Sequence, residues 1–463
     1  MKINKQNIIN KTYIIQTFLM ALIYFISGRI SFLLSPENSI VTIVIFTAEG
    51  FALAGILIYG KKMWLGILLG QLCLAFSMNV DFFPSLLIGT INSIEALLGF
   101  YLFRYFKLNT RLMTLKDVFG LSLIIIFALQ TFSSIFGIYI LSQFDVIAET
   151  NYMESLFSWW FGNIVGQLLL TPFLLSLYHG YNKIKIGEFV AVSIFFLLLS
   201  YASIIHYHLP YLSLLLITTA PLLIYISSKR ELYYPIFLII IIAFIAIHST
   251  HLNIGFFSSS DLLNNLISFN FYILFHIFLI LLVSTLFSEK NEALKKLKSM
   301  AFYDNLTGLP NRYLLDEKIQ DAILCSKKHN KQSAICFIDV DGFKSVNDNL
   351  GHNIGDETLK IVGKNIREKI GINDSLLRVG GDEFVLILKN TDKEMISQVL
   401  ENISSTINKP FTISNHTIKI SLSIGIALSP KDAISMTKLI HYADKSMYKA
   451  KERGKNQFVF YGE

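Results

Sequence analysis

Charge is what this 463-residue chain has least of. Only 16% of its residues are Asp, Glu, Lys or Arg, against 53% hydrophobic, where an ordinary globular domain carries roughly 25% charged residues. That shortfall argues against an entirely soluble protein. Cysteine is scarce as well: Cys73, Cys325 and Cys336 lie far apart and lack CxxC spacing, which argues against a disulfide framework or a zinc site. No cleavable signal peptide stands out, because the first apolar stretch, from Tyr13 to about Leu34, is long enough to span a bilayer. The formal net charge of +7 demands no nucleic-acid partner, since basic loops are expected of a membrane protein.

The few charges are unevenly spread. Residues 1–288 hold 14 Lys+Arg and 11 Asp+Glu, whereas residues 289–463 hold 26 and 22. The two parts have different solvents, lipid for the first and water for the second. Apolar runs of spanning or near-spanning length are centred near Ile23, Ala52, Leu69, Ser93, Phe127, Gly166, Phe196, Ile217, Ile241 and Phe278. These predict ten transmembrane helices, or eight if the short runs are discounted, because a spanning helix needs about 20 apolar residues.

The loops check this independently. With the N-terminus inside, the inner loops carry Lys61, Lys62, Arg104, Lys107, Arg111, Lys116, Lys183, Lys185, Lys229 and Arg230. The outer loops carry Glu37, Asp81, Asp145, Glu149, Glu154 and Asp261, the asymmetry of the positive-inside rule. An even number of spans returns the chain to the cytoplasm. Arg29, Glu49 and Glu95 fall inside spans. They read either as a ligand or ion site or, the plainer account, as a helix–helix salt bridge or snorkelling groups. His206, His208, His248 and His251 read as solvated interface residues rather than a pH or metal sensor.

Ser27-Gly28-Arg29, the segment GFALAGILIYGKKMW (Gly50 to Trp64), and Trp159-Trp160-Phe161-Gly162-Asn163 through Thr171-Pro172 resemble the integral-membrane MASE-type sensor domain of bacterial signalling proteins, over roughly residues 13–287. Such domains often carry a Trp-Pro-Pro-like element before the glycine, where this chain reads Phe46-Thr47-Ala48-Glu49-Gly50. Trp159 and Trp160 read as an interfacial aromatic belt. The expected organisation is therefore a polytopic all-α membrane bundle over 1–287, a helical signalling linker over 288–300, and a soluble α/β domain over 301–463. The linker, SEKNEALKKLKSM, has strong helix formers and no Gly or Pro. Leu286, Phe287, Leu294, Leu297 and Ala301 could supply a short coiled-coil seam, though a single spacing helix serves equally well.

In the soluble part, residues 333–338 form a short apolar run that predicts a buried strand, with Asp339-Val340-Asp341 at its end. Helix is expected from Gly355 to about Lys369. Strands at Ser375–Val379 and Glu383–Leu388 flank Gly380-Gly381-Asp382 as a hairpin. Helix, strand, helix and strand follow over 391–407, 417–427, 433–451 and 457–461. Asp339, Asp341, Asp382 and Glu383 would then converge. Clustered carboxylates repel unless a cation neutralises them, and oxygen-only ligands suit Mg²⁺. Two glycines let a backbone approach a phosphate closely, and Lys344, Lys451 and Lys455 could neutralise a polyphosphate. These residues alone imply a Mg-nucleotide site of the kind used in phosphoryl or nucleotidyl transfer.

The full strings say more. DNLTGLPNR (304–312), FKSVND (343–348) with Gly351-His352 and Gly355-Asp356, RVGGDEF (378–384), SIGIA (423–427), and Ala443-Asp444 through Tyr448, Lys451, Gly454, Lys455 and Asn456 resemble the GGDEF diguanylate cyclases. The resemblance implies a nucleotide-cyclase-like palm that condenses two GTP into cyclic di-GMP and two pyrophosphates, with the active site between two facing domains of a homodimer. It also implies roles. Asp339, the Val340 carbonyl and Asp382 would bind Mg²⁺ (or Mn²⁺), with Glu383 assisting. Asp382 would accept the proton of the attacking 3′-hydroxyl, and Lys344 would stabilise developing phosphate charge. Asn347 and Asp356 would read guanine, with His352 near the nucleotide. Gly380 and Gly381 would leave room for the phosphates, and Lys451 and Lys455 would hold them. Asp341 and Asp348 read as structural.

One departure concerns product inhibition. Many such enzymes carry Arg-x-x-Asp ahead of the Gly-Gly motif, and this chain reads Gly371-Ile372-Asn373-Asp374, so little inhibition is expected there. Two competing readings stand beside the inner-membrane, ligand-controlled cyclase with its GGDEF domain in the cytoplasm. One is a catalytically inactive GTP-binding regulator, against which Lys344 and the intact Asp382-Glu383 pair argue. The other is a transporter with an attached regulatory domain, supported by Arg29, Glu49 and Glu95 alone.

Overall fold

The computed structural model describes residues 2–35, 41, 45–180, 210–251 and 262–463, with isolated positions between 187 and 201. The span expected near Phe196, the loop residues Glu37, Lys183, Lys185 and Asp261, and His206 and His208 lie outside the described residues. The chain divides into two compact units, Met1–Asn291 and Glu292–Glu463.

Among the described residues of the first unit, five helical stretches are long and apolar enough to cross a bilayer: Tyr13–Leu33, Phe82–Tyr105, Leu115–Gln143, Glu149–Gly180 and Asn264–Phe302. They cover the runs expected at Ile23, Ser93, Phe127, Gly166 and Phe278. The runs at Ala52 and Leu69 lie on helices of 12 and 13 residues, and those at Ile217 and Ile241 on helices of 20 and 19 residues. In chain order the elements are α1 (Lys2–Leu33), α2 (Ala48–Tyr59), α3 (Trp64–Phe76), α4 (Phe82–Tyr105), α5 (Leu115–Leu123), α6 (Gln130–Gln143), α7 (Tyr152–Gly180), α8 (Pro210–Lys229), α9 (Tyr233–His251) and α10 (Leu262–Phe302). His248 and His251 fall in the last turn of α9.

Small residues let these helices pack closely, as apolar solvent requires. A Cβ on Gly166 would run into the Phe46 carbonyl oxygen, and one on Gly50 would come within 2.6 Å of Leu170 Cβ. Non-helical backbone at residues 45–47 is thereby held against α7, with Phe46 N donating to Gly162 O at 3.2 Å. Between α5 and α6 a π-helical turn, Ile124–Leu129, inserts extra backbone. Such turns re-aim the side chains that follow them, and the next residue is Gln130. At its other end α5 opens on a capping box, Thr114 with Asp117. The Leu115 amide in that first turn donates to Glu289 Oε1 on α10 at 2.9 Å.

For Glu49 and Glu95 the expected salt bridge or snorkelling is not what the fold contains. Glu49 and Glu95 are fully buried, and no cation pairs with either among the described residues. Arg29 instead donates to Ser77 O at 3.3 Å and contacts Met78 Sδ. Neutral donors serve the carboxylates. Tyr24 Oη donates to Glu49 Oε1 at 2.5 Å and accepts from Asn92 Nδ2 at 3.0 Å. Gln130 Nε2 donates to Glu95 Oε1 at 2.7 Å and to Gln167 Oε1 at 2.9 Å. Gln167 Nε2 reaches Glu95 Oε1 at 3.2 Å. Trp159 is not merely a belt residue, since its Nε1 donates to Ser133 Oγ at 3.2 Å across the bundle.

The second unit is an α/β sandwich. After α11 (Leu315–His329) come β1 (Gln332–Asp341), α12 (Phe343–Leu350), α13 (His352–Glu368), β2 (Ser375–Gly380), β3 (Glu383–Thr391), α14 (Lys393–Ile407), β4 (Phe411–Ile413), β5 (His416–Ile418), β6 (Ser421–Ser429), α15 (Met436–Glu452) and β7 (Gln457–Phe460). The main sheet has the order β2-β3-β1-β6-β7, and β4-β5 form a separate hairpin. Strand parity assigns the faces. Ala334, Cys336, Ile338 and Val340 pack with Val362, Ile366 and Leu400 on one side. Ile335 and Phe337 pack with Ile319, Leu439 and Met447 on the other. The strand expected over 417–427 is in fact two pieces, β5 and β6. Helices α11 and α12 are additions to the sequence reading.

Candidate active site

The odd-numbered positions of β1 face α15. Asp339, on that parity, stands directly opposite Glu383 on β3 and Ser423 on β6. Beyond Glu383 the chain turns in two residues, Gly381 and Asp382, because Gly380 and Glu383 pair across the hairpin. The Val340 amide donates to Asp382 O at 3.3 Å, which ties the hairpin tip to the end of the central strand. A Cβ at Gly381 would meet nothing within 4 Å, so the tip is open on that side.

Arg378 fixes this tip. Its Nε and Nη2 donate to Gly381 O at 3.0 and 2.7 Å, and its Nη1 pairs with Asp304 Oδ1 at 2.9 Å. Asp304 Oδ1 also accepts from Thr307 N and Oγ1 at 2.8 and 2.6 Å. Burial would raise the Asp304 carboxyl, but the Thr307 and Arg378 bonds outweigh it and hold it below the ordinary range. Asp304 and Arg378 both lie in the strings quoted above, with no role assigned to either. The opposite charges in the first block and ahead of the Gly-Gly pair were the signal.

Lys451 Nζ lies 2.6 Å from Asp339 Oδ2. Glycine puts it there: a Cβ on Gly425 would collide with the Ala443 carbonyl and the Met447 amide, so α15 rests directly on β6 with Lys451 one turn further along. Burial pushes the Asp339 carboxyl up; Lys451 pulls it down, Asp382 and Asp341 push it up again, and the net direction is up. Glu383 is likewise raised, by burial first and then by Asp339, Asp382 and Asp444. Burial lowers Lys451, yet its pairing with Asp339 leaves it above the ordinary lysine value.

The structure thus brings Asp339, Asp382, Glu383 and Lys451 together. Among the described residues no group of three such side chains is already disposed as a metal cage. Asp341 is committed elsewhere, accepting from Ser421 and Ser423 Oγ at 2.8 Å each and from Asn456 N at 3.2 Å, as its structural reading requires. Lys344 and Asp348 are exposed on α12, and His352 and Asp356 are exposed at the start of α13. Asn347 is half-buried, its Oδ1 has no partner among the described residues, and a Cβ on Gly355 would strike it. Lys455 projects from a left-handed turn, Gly454 to Asn456. Asp374 accepts from Gly371 N at 2.9 Å and from Lys389 N at 3.0 Å, so its carboxylate is internally engaged.

Two family models match the chain. Residues 16–291 match MASE1. The chain belongs to the MASE1 family. Residues 301–457 match the diguanylate cyclase GGDEF domain, so a MASE1 membrane unit is followed by a GGDEF unit. Among curated proteins, the bifunctional diguanylate cyclase/cyclic di-GMP phosphodiesterase MucR of Pseudomonas aeruginosa is 40% identical over 178 residues, 38% of this chain and 26% of that one. The diguanylate cyclase TpbB of the same species is 37% identical over 161 residues, 34% of this chain and 37% of that one. The chain spans about a quarter of the length of the first curated relatives it matches. Among solved structures, the isolated GGDEF domain of TpbB from P. aeruginosa is 35% identical and covers 34% of this chain and 94% of that one, with a TM-score of 0.34. The MASE1 unit, with five membrane-length apolar helices among its described residues, makes this an integral membrane protein.

Proposed function

We propose that this protein is a diguanylate cyclase of the bacterial inner membrane, whose GGDEF unit is cytoplasmic and whose MASE1 unit is its sensory input. The observation that carries the reading is the meeting of Asp339, Asp382 and Glu383 with Lys451 at the tip of an intact Gly-Gly-Asp-Glu hairpin. In the reaction, the 3′-hydroxyl oxygen of each of two GTP molecules attacks the α-phosphorus of the other. Each new P–O bond displaces one pyrophosphate, giving cyclic di-GMP and two pyrophosphates. Two GGDEF units of a homodimer supply one GTP each.

Asp382 accepts the proton of the attacking hydroxyl. Lys344, Lys451 and Lys455 offset charge on the phosphates, Lys451 exchanging its Asp339 partner for the nucleotide. Fixed charges of this sort stabilise a transition state strongly where water is excluded. The openness at Gly381, beside Gly380, gives the phosphates room. Asn347, whose Oδ1 lacks a partner, and Asp356 recognise the guanine edge, with His352 beside the nucleotide. The residues fit Mg²⁺, or Mn²⁺: the donors are all oxygen, namely Asp339, the Val340 carbonyl, Asp382 and assisting Glu383. The upward displacement of Asp339 and Glu383 reflects, after burial, a mutual repulsion that a cation relieves. Such an ion, when bound, polarises the phosphoryl oxygens and neutralises developing charge.

Conversion of labelled GTP by full-length protein with Mg²⁺, beside an Asp382→Ala control, tests this. Cyclic di-GMP from the wild type alone is expected. Folded, dimeric wild type that binds GTP and makes no product, even when dimerisation is forced, would establish a GTP-binding regulator instead.

A further inference from the structure

The MASE1 unit contains a cavity of about 50 Å³ between α1, α3, α4 and α7, with Phe32, Phe46 and Trp159 among its walls. Among the described residues, none that line it is charged. Three of them are amides, Gln71, Asn92 and Asn163, with only 8%, 2% and 5% of their surfaces exposed. Among the described residues, Gln71 Oε1 and Asn92 Oδ1 have no hydrogen-bond partner. A buried acceptor without a donor is costly, and two on one apolar cavity wall call for the same complement.

We propose that this cavity binds a small uncharged molecule with an apolar, planar body and one or two hydrogen-bond donors. The donors would meet Asn92 Oδ1 and Gln71 Oε1, and the body would lie against the aromatic walls. At about 10–15 Å³ for each water-sized group, the volume admits a core of roughly three to five heavy atoms. The inference rests on reading the MASE1 unit as the sensory input, and it says how the input connects. The Asn92 side chain that accepts from the ligand also donates, through Nδ2, to Tyr24 Oη at 3.0 Å, and Tyr24 donates to Glu49. A donor on one end of that amide strengthens its bond at the other, so occupancy reaches the buried Glu49 carboxylate without touching it.

The test uses full-length protein in nanodiscs and two probes of one shape, pyrrole, which donates a hydrogen bond, and furan, which does not. Dissociation constants come from saturation-transfer NMR titrations, with empty nanodiscs as the baseline. Pyrrole is expected to bind about tenfold more tightly than furan, one unsatisfied acceptor's worth. Asn92→Leu should remove that preference, and Gln71→Leu should reduce it. Equal affinities for the two probes in the wild type would overturn the proposal without any variant being made. So would a preference that survives in both variants. Cyclic di-GMP synthesis is measured in the same samples. Pyrrole binding of the expected pattern with unchanged synthesis supports the pocket and counts against the sensory reading. A failed pocket leaves the cyclase, tested through Asp382→Ala, standing.

Discussion

Carboxylates gather in two places in this molecule, and the two gatherings are built on opposite principles. In the MASE1 unit, Glu49 and Glu95 are sealed from solvent and served by neutral donors, Tyr24, Gln130 and Gln167. In the GGDEF unit, Asp339, Asp382 and Glu383 sit at the rim of a sheet, face a lysine, and push one another's protons on. The first arrangement gives one oxygen of each carboxylate a neutral donor, because a buried polar group without a partner is expensive. The second leaves a charge deficit that an arriving cation or polyphosphate makes good. A cluster of acids is therefore read by its donors: amides and phenols mark a network held inside the fold, whereas a lysine and open backbone mark a place for a guest.

The largest effect that would test the contrast lies at the rim. Asp382→Ala is expected to reduce cyclic di-GMP synthesis at least a hundredfold, the scale of losing one preorganised electrostatic contact, while thermal unfolding changes little. Within the bundle the expectation reverses. Gln130→Leu should cost about 1–3 kcal/mol of stability by stripping a donor from Glu95, whereas Glu95→Gln, which keeps the acceptor, should be nearly neutral in nanodisc melts. Equal losses in the two variants would show that charge rather than satisfaction governs that network.

Gly425→Val attacks the support of the rim rather than its chemistry. Overpacking β6 against α15 should cost about 1–3 kcal/mol and draw Lys451 off Asp339, seen as a raised KM for GTP. Asp304 gives a smaller, pH-dependent signature. Its carboxyl is held below the ordinary value of 3.8 in the fold, so its contribution is present above that value and is lost as pH falls through the folded one. Asp304→Asn should therefore destabilise the GGDEF unit at neutral pH, and chemical denaturation curves of the two proteins should converge in strong acid. The smallest effect is an absence of change. With Asp374 engaged by Gly371 and Lys389 and no arginine at position 371, micromolar cyclic di-GMP should leave the initial rate unaltered. A halved rate would show that another group captures the product.

Most of the GGDEF unit was legible in the residues, because strand alternation and Gly-Gly punctuation are local signals. The β2–β3 hairpin falls where the sequence expects it, and so do the carboxylates around its turn. Helix α12 was harder to see: Phe343 to Leu350 is only eight residues long, too short for periodicity to declare itself. The positioning of Lys451 was invisible, since it depends on Gly425 lying under α15, a contact between segments distant in sequence. In the membrane unit, uniform hydrophobicity locates helices but does not say which faces meet. Hence Glu49 and Glu95 could be recognised as buried, but their partners on α1, α6 and α7 could not.

The bond from the Leu115 amide to Glu289 is small in energy yet consequential in mechanics. An α-helix presents a new side chain every ~100° of roll, and α10 offers Lys290 immediately after Glu289. Lys290 has no acceptor to offer the amide, so Glu289 works as a key in a slot, indexing α10 to one azimuth. A roll of one residue would bring an ammonium group to face a donor that it cannot satisfy. The helix that leaves the MASE1 unit is consequently notched against the first turn of α5.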